Sequence, residues 1–230
     1  GAKTGKNYKQ KPQDFRTGNQ GGGSMLKNHV EQEKPREEEL LRRLEDARNH
    51  LFALQMQIKE RALPVLVLME GWGAAGKGST IGKIIRNIDP RFFKVATMSA
   101  PTEEELRKPF LYRYFARLPE AGKFTFLDSG WMEEITGDVL RDKLDQKGYA
   151  SRIESVKRFE RQLTDNGYLV MKFFFHIEEK EQKKRLDGLL SNEDTRWRVS
   201  ESDRWQSKHY DKCLKVFDQY LNDTNASTAP

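Results

Sequence analysis

The 230-residue sequence predicts an α/β fold in three layers, with helices covering both faces of a parallel sheet. Three observations carry this expectation. Short, uninterrupted apolar runs alternate with stretches of helical period. The first run, residues 64–70 (PVLVLME), is rich in Val and Leu, as a strand buried on both faces requires. A crowd of glycines then joins that run to a helical segment, and strand–helix alternation of this kind favours parallel pairing because each crossover needs a covering element.

Each element follows in chain order. Residues 35–62 place Leu40, Leu44, Ala47, Leu51, Leu54 and Ile58 at helical spacing with charge on the other face, predicting one long N-terminal helix. Pro64 opens the first strand. Residues 76–88 resume the helical period through Ile81, Ile84, Ile85 and Ile88, and Asp89-Pro90 stops it. Further strands are predicted at 93–98, 123–128 and 168–177, separated by helical stretches. Beyond them, charged helical segments at 178–190 and 203–221 flank an irregular basic stretch, SNEDTRWRVSES.

Bulk properties bound the function. The length suits one sizeable domain. The formal net charge of +6 invites a nucleic-acid partner, but residues 1–24 hold five Lys/Arg against one Asp and so carry +4 of it. The remainder is nearly neutral, which argues against nucleic acid. That first segment is polar and ends in Gly-Gly-Gly-Ser, the composition of a disordered arm or an added leader, so the working domain is expected over 25–230. No run of about eighteen apolar residues suggests a membrane span, and a cytoplasmic location is expected. The single cysteine, Cys213, excludes an internal disulfide and reads as a packed thiol. His29, His50, His176 and His209 are scattered without metal-ligand spacing and read as structural or surface residues.

The glycine segment carries the chemistry. Gly71 to Lys77 supplies glycine, four residues, then Gly-Lys, between a strand and a helix, the pattern of a phosphate-binding loop. Glycines let the backbone turn sharply and aim several N–H groups at one point, where the helix adds its positive dipole end. Lys77 adds a full charge, and Gly78 displaces the usual hydroxyl by one, leaving Ser79 and Thr80 to reach a metal or phosphate oxygen. Such enzymes also need a carboxylate near magnesium at the end of a neighbouring strand, and FTFLD ends in Asp128. A magnesium ion arriving with its waters and the substrate phosphates needs few protein ligands. Past the last strand, Lys183, Lys184 and Arg185 together with Arg196, Trp197 and Arg198 read as a helical lid over about residues 178–205, able to neutralise a transferring phosphoryl group.

Taken together these segments resemble the family-2 polyphosphate kinases, P-loop kinase-like phosphotransferases. The matching pieces are EGxxAAGKG at 70–78, APTEEELRKPFLYRYFARLPEAG at 100–122, Asp-x-x-Trp at 128–131, EKEQKKRL at 179–186, RWRVSESD at 196–203 and NDTNASTAP at the end. The resemblance implies phosphoryl transfer between inorganic polyphosphate and AMP or ADP, with Mg²⁺, in homo-oligomers or by pairing with a second similar domain. It implies that Gly71, Gly76, Lys77, Gly78, Ser79 and Thr80 hold phosphates, that Asp128 organises the metal, that Arg185 and Arg198 serve the lid, and that Arg113 contacts substrate or, failing that, forms a surface helix ion pair. Two departures stand out. Where the family reads Arg-Asp inside the loop, this chain has Trp72-Gly73, and where it commonly reads Asp-Arg-Ser-Trp-Tyr, this chain has DSGWM at 128–132. A family branch fuses two such domains, one of them eroded, and the chain resembles the altered, N-terminal member of that pair. A water, or a neighbouring residue such as Glu70, which matches the family's glutamate at the strand end, is a candidate to replace the missing loop carboxylate.

Overall fold

In a computed structural model of the chain, residues 25–26, 35–227 and 229 are described, and the arm expected at 1–24 lies outside them. The continuous apolar run becomes strand β1 (Val65–Gly71), and its first six residues are all buried. Period-2 geometry divides them between two covers. Val65, Val67 and Met69 pack with Ile81 and Ile88 on one face, while Leu66 and Leu68 join Trp131, Ile135, Val156 and Phe217 on the other. Strands β2 (Phe93–Thr97), β3 (Phe124–Asp128) and β4 (Leu169–Phe175) complete a four-stranded sheet in the order β2-β3-β1-β4, every pair parallel. The register sets Met69 opposite Asp128 and Gly71 opposite Phe175, so the loop after β1 and the carboxylate ending β3 emerge at the same edge. That carboxyl end of a parallel sheet is where open α/β folds bind ligands.

Helices α1 (Glu37–Glu60) and α2 (Lys77–Ile85) lie on the first face. Two single-turn helices, α3 (Glu103–Leu106) and α4 (Tyr112–Phe115), follow β2. The second face carries α5 (Trp131–Leu140) and α6 (Gln146–Asp165), and beyond β4 come α7 (Glu179–Ser191), α8 (Glu201–Lys208) and α9 (Tyr210–Thr224). The three-layer α/β/α arrangement, the parallel sheet, the helical lid and the long N-terminal helix are as expected.

Two local expectations need correction. The apolar stripe of α1 does not all reach the core. Leu51 and Ile58 pack against the sheet, but Leu40, Leu44 and Leu54 are 45%, 36% and 47% exposed. A helix of 24 residues runs about 36 Å at 1.5 Å per residue, longer than the strands it covers, so the sheet cannot bury the whole stripe. The single helix expected over 203–221 is two. It starts earlier, where Ser200 and Asp203 close a reciprocal capping box, and it breaks at His209 (φ −123°, ψ 36°). The break lets α8 lie over the glycine loop while Tyr210 and Phe217 of α9 turn into the core. Among the described residues, no helix is long and apolar enough to cross a membrane.

Candidate active site

The loop is shaped by two glycines that no other residue replaces without strain. Gly71 adopts φ +117°, and a Cβ there would stand 2.4 Å from the Phe175 carbonyl oxygen. Gly76, at φ +97°, is the left-handed residue from which α2 begins, and no side chain caps that helix end. The first-turn N–H groups of α2 therefore remain available to an anion. Ala74 (φ 59°) and Ser129 (φ 70°) also sit in the left-handed region beside the site, a conformation that persists only where surrounding structure enforces it.

Lys77 folds back over this turn. Its ammonium donates to the carbonyls of Gly71 (3.2 Å) and Trp72 (3.1 Å), which fixes its charge above the loop. Asp128 stands beside it, with Oδ2 3.2 Å from where a Cβ on Gly78 would lie. Partial burial raises the Asp128 carboxyl above its ordinary range, nearby Lys77 opposes that rise and Glu133 adds to it. From the lid, Arg185 reaches the loop carbonyls of Ala74 (3.4 Å) and Ala75 (3.3 Å) while paired with Glu181 at 2.7 Å. Arg198 is not brought to the loop. It is exposed, with its guanidinium 5.4 Å from the ring centre of its neighbour Trp197.

A cavity of about 1260 Å³ opens from the loop, walled by Lys77, Gly73, Arg113, Glu134, Arg152 and Asp203 among others. Arg113 is buried in this wall, not on the surface. It donates to the Ser99 carbonyl and lies 3.9 Å from Glu105 and 3.7 Å from Glu134. Glu134 also faces Arg152 (3.7 Å) and the Tyr114 hydroxyl (3.0 Å), and Arg152 faces Asp138 (3.1 Å). This part of the wall is thus an ion network in which Arg113, Arg152, Glu105, Glu134 and Asp138 all line the cavity, a group that single helical residues give no sequence signal for.

Trp72 points away from the cavity. It is fully buried, stacked on Tyr210 at 4.1 Å with a 7° interplanar angle, edge-on to Phe217 at 4.9 Å, and its indole N–H donates to His176 Nδ1 at 3.0 Å. Gly73 is held from the lid side: its N–H donates to Gln206 Oε1 (2.8 Å), and Gln182, buried, bonds the same oxygen (2.9 Å) and the Gly73 carbonyl (3.3 Å). Gln182 and Gln206 escape sequence reasoning because isolated glutamines in charged helices look solvated. Only the capping pattern Ser-x-x-Asp marks Asp203.

Glu70 is committed elsewhere. Its Oε1 accepts from the Met132 N–H (3.3 Å) and fills the space a side chain on Gly130 would need. Burial raises its carboxyl to about 7 from the ordinary 4.5, and Glu133 adds to the rise, against the lowering effects of the Gly130 and Met132 amides and Lys77. Because the folded value lies above the unfolded one, the native state holds the extra proton between them, so stability falls as pH rises from about 4.5 through about 7. At pH 8 the buried anion costs about 3 kcal/mol. Glu70→Gln is expected to flatten the dependence of the urea midpoint on pH across that window. An unchanged slope would show that Glu70 ionises freely in the native state.

Residues 34–230 match the family described as Polyphosphate kinase 2 (PPK2). The chain is 33% identical over 191 residues to a polyphosphate:AMP phosphotransferase of Pseudomonas aeruginosa, an alignment covering 80% of this chain and 38% of that protein. It is 29% identical over 191 residues to an AMP/ADP-polyphosphate phosphotransferase of Meiothermus ruber, covering 83% of this chain and 69% of that one. The chain thus spans well under half the length of the Pseudomonas relative. The crystal structure of polyphosphate kinase 2 from Arthrobacter aurescens superposes with a TM-score of 0.77 at 25% identity, over 81% of this chain and 68% of that one. With a strand-end aspartate beside the start of α2, a helical lid reaching the glycine loop, and a family match that runs from residue 34 to residue 230, the chain belongs to the polyphosphate kinase 2 family.

Proposed function

We propose that residues 25–230 form a phosphotransferase domain that moves a phosphoryl group between inorganic polyphosphate and AMP or ADP, with residues 178–205 as its lid. The observation that carries it is the meeting of Lys77 and Asp128 at the carboxyl ends of adjacent strands, beside an uncapped helix start and a 1260 Å³ cavity. The names of the Pseudomonas and Meiothermus relatives support the same substrates. In this mechanism the backbone of Gly71, Gly76 and Gly78 and the hydroxyls of Ser79 and Thr80 cradle the phosphates, and Lys77 offsets their charge. An oxygen of the nucleotide's terminal phosphate attacks the end phosphorus of the chain as the bridging P–O bond breaks. Arg185 neutralises the charge spreading over the transferred group, Arg198 joins it when the lid moves, and Arg113 positions the acceptor.

Magnesium suits this site on its donor chemistry. Among the described residues no three His, Cys, Asp or Glu side chains gather to cage a cation. A hydrated ion carried in on phosphates needs only one or two carboxylates, and half-buried Asp128, facing the first turn of α2 with Ser79 and Thr80, provides that. When bound, the ion would offset charge on the phosphate oxygens.

One observation favours a second role. The loop position that the family fills with arginine holds Trp72 in the core, and Gly73 has no side chain, which suits a phosphate-binding domain that supports an active sister domain. Titration of the chain with inorganic polyphosphate at low ionic strength, and conversion of AMP or ADP in the presence of magnesium, separate the two. Binding with conversion supports transfer, binding without it supports the second role, and absence of binding removes both.

A further inference from the structure

Every carbonyl of the glycine loop can be traced to its donor. Those of Gly71 and Trp72 accept from the Lys77 ammonium, and that of Gly73 accepts from Gln182 Nε2 (3.3 Å). Those of Ala74 and Ala75 accept from one guanidinium nitrogen of Arg185 (3.4 and 3.3 Å), and that of Gly76 from the Thr80 N–H (2.9 Å). Three successive carbonyls therefore face α7. We propose that Gln182, with Arg185 beside it, is a positioning residue: by holding the carbonyls of residues 73–75 it aims the N–H groups of residues 74–76 at the phosphates. This rests on the phosphate-binding function proposed above.

The reason is peptide geometry. Among the described residues every peptide bond is trans, so a carbonyl and the N–H of the following residue share one plane and point in opposite directions. With the carbonyls of Gly73, Ala74 and Ala75 turned to α7, the N–H groups of Ala74, Ala75 and Gly76 turn away from it. The Ala75 N–H shows where that leads. It donates to the Trp72 carbonyl (3.3 Å), which the Lys77 ammonium also reaches (3.1 Å), so these amides turn to the side on which the ammonium lies. Gly73 is where the sense reverses. The peptide before it gives its carbonyl to Lys77 and its N–H to Gln206, and the peptide after it gives its carbonyl to Gln182.

Packing alone does not account for Gln182. It is 0% exposed, its Nε2 serves both the Gly73 carbonyl and Gln206 Oε1, and its own Oε1 meets no hydrogen-bond partner among the described residues. A buried amide with one end unpaired costs stability that an apolar side chain of the same length does not. What the amide supplies is its two N–H donors, one to the loop and one to α8. Without them the Gly73 carbonyl loses its anchor and the following peptide units are free to rotate, so the loop has to be ordered as the anion binds instead of beforehand. Arg185 is the looser holder, with its side chain 41% exposed and shared with Glu181 at 2.7 Å.

The test compares the full chain with its Gln182→Met variant, which keeps length and burial but removes both donors. Calorimetric titration with inorganic tripolyphosphate at low ionic strength gives the affinity, and a thermal melt gives the stability. Residual dipolar couplings of the Ala74, Ala75 and Gly76 amides give the direction of each N–H. Gln182→Met is expected to bind about tenfold more weakly, the effect of one net hydrogen bond, and to melt within about 3 °C of wild type. Wild-type couplings are expected to hold when tripolyphosphate is added, and those of the variant to differ in the free protein and return at saturation. Gln206→Met frees the Gly73 N–H but leaves the carbonyl anchors, and is expected to keep the wild-type couplings at 74–76, which separates a loosened lid from a lost anchor. Wild-type affinity in Gln182→Met, wild-type couplings in its free form, wild-type couplings that move on binding, or the same change in Gln206→Met would each overturn the inference while leaving the phosphate loop standing. Couplings that change across β1 and β4 as well would mark a general structural role and overturn it too. Failure of wild type to bind tripolyphosphate would overturn the phosphate-binding function and this inference together.

Discussion

On the transfer function proposed above, Lys77→Ala is expected to lower polyphosphate-dependent nucleotide conversion by about a hundredfold to a thousandfold, the usual effect of deleting one preorganised charge aimed at a transition state. An ammonium has three N–H donors. Two are engaged by the carbonyls of Gly71 and Trp72, so the group is already held over the loop and has one donor left for a phosphate oxygen. Its fixed position is what gives it value, since no reorganisation is needed when charge develops. Gly71 lines the open cavity, and the Trp72 carbonyl keeps its bond from the Ala75 N–H, so the fold should survive. The measurement is initial-rate conversion of AMP or ADP with magnesium and polyphosphate, beside a thermal melt of each protein. Equal rates in both would take the loop out of the chemistry.

Trp72→Ala is expected to destabilise the domain by about 3–5 kcal/mol, the range for removing a large aromatic side chain from a packed core. The indole is 0% exposed, it stacks on Tyr210 of α9 and meets Phe217 edge-on, and its N–H is satisfied by His176. Removal opens a cavity where the glycine loop, the end of β4 and α9 converge, and takes the indole hydrogen bond to His176 with it. Trp72→Arg, which restores the charge type of the family pattern, is expected to be at least as damaging, because a guanidinium at this position would be set among Tyr210, Phe217 and His176 and cut off from water. Trp72→Phe, which keeps the stacking but loses the N–H, should cost less. Urea denaturation of the three variants provides the comparison. A stability change under about 1 kcal/mol for Trp72→Ala would show that the loop folds independently of α9.

These two residues, five apart in the chain, show how unevenly the site could be read. The placement of Lys77 was legible because it follows from local pattern: a strand that must be buried, glycines that alone tolerate the turn, and a helix whose first amides lack partners. The position of Asp128 was legible for a similar reason, as a carboxylate closing a strand, and the parallel register sets it opposite Met69. Trp72 was not. Its position in the loop suggested only the loss of a charged group, and nothing nearby in sequence indicates that the side chain turns inward to meet residues 104 and 138 positions away. Arg113 was expected on a helix as a substrate contact or a surface ion pair, and lies buried in a wall of opposing charges drawn from α3 and α5. The roles proposed for Arg185 and Arg198 divide in space, one on the loop carbonyls and one facing solvent.

The sequence by itself determined the strands, the long helix, the glycine-loop turn and the family pattern, because burial period, glycine conformations and helix-end amides are local properties of the chain. Only the tertiary structure decided which way Trp72 faces, that α8 and α9 part at His209, and that a carboxylate from residue 203 fills the space beside residue 73. Those outcomes depend on which distant side chains compete for the same volume. Close packing admits one occupant per site.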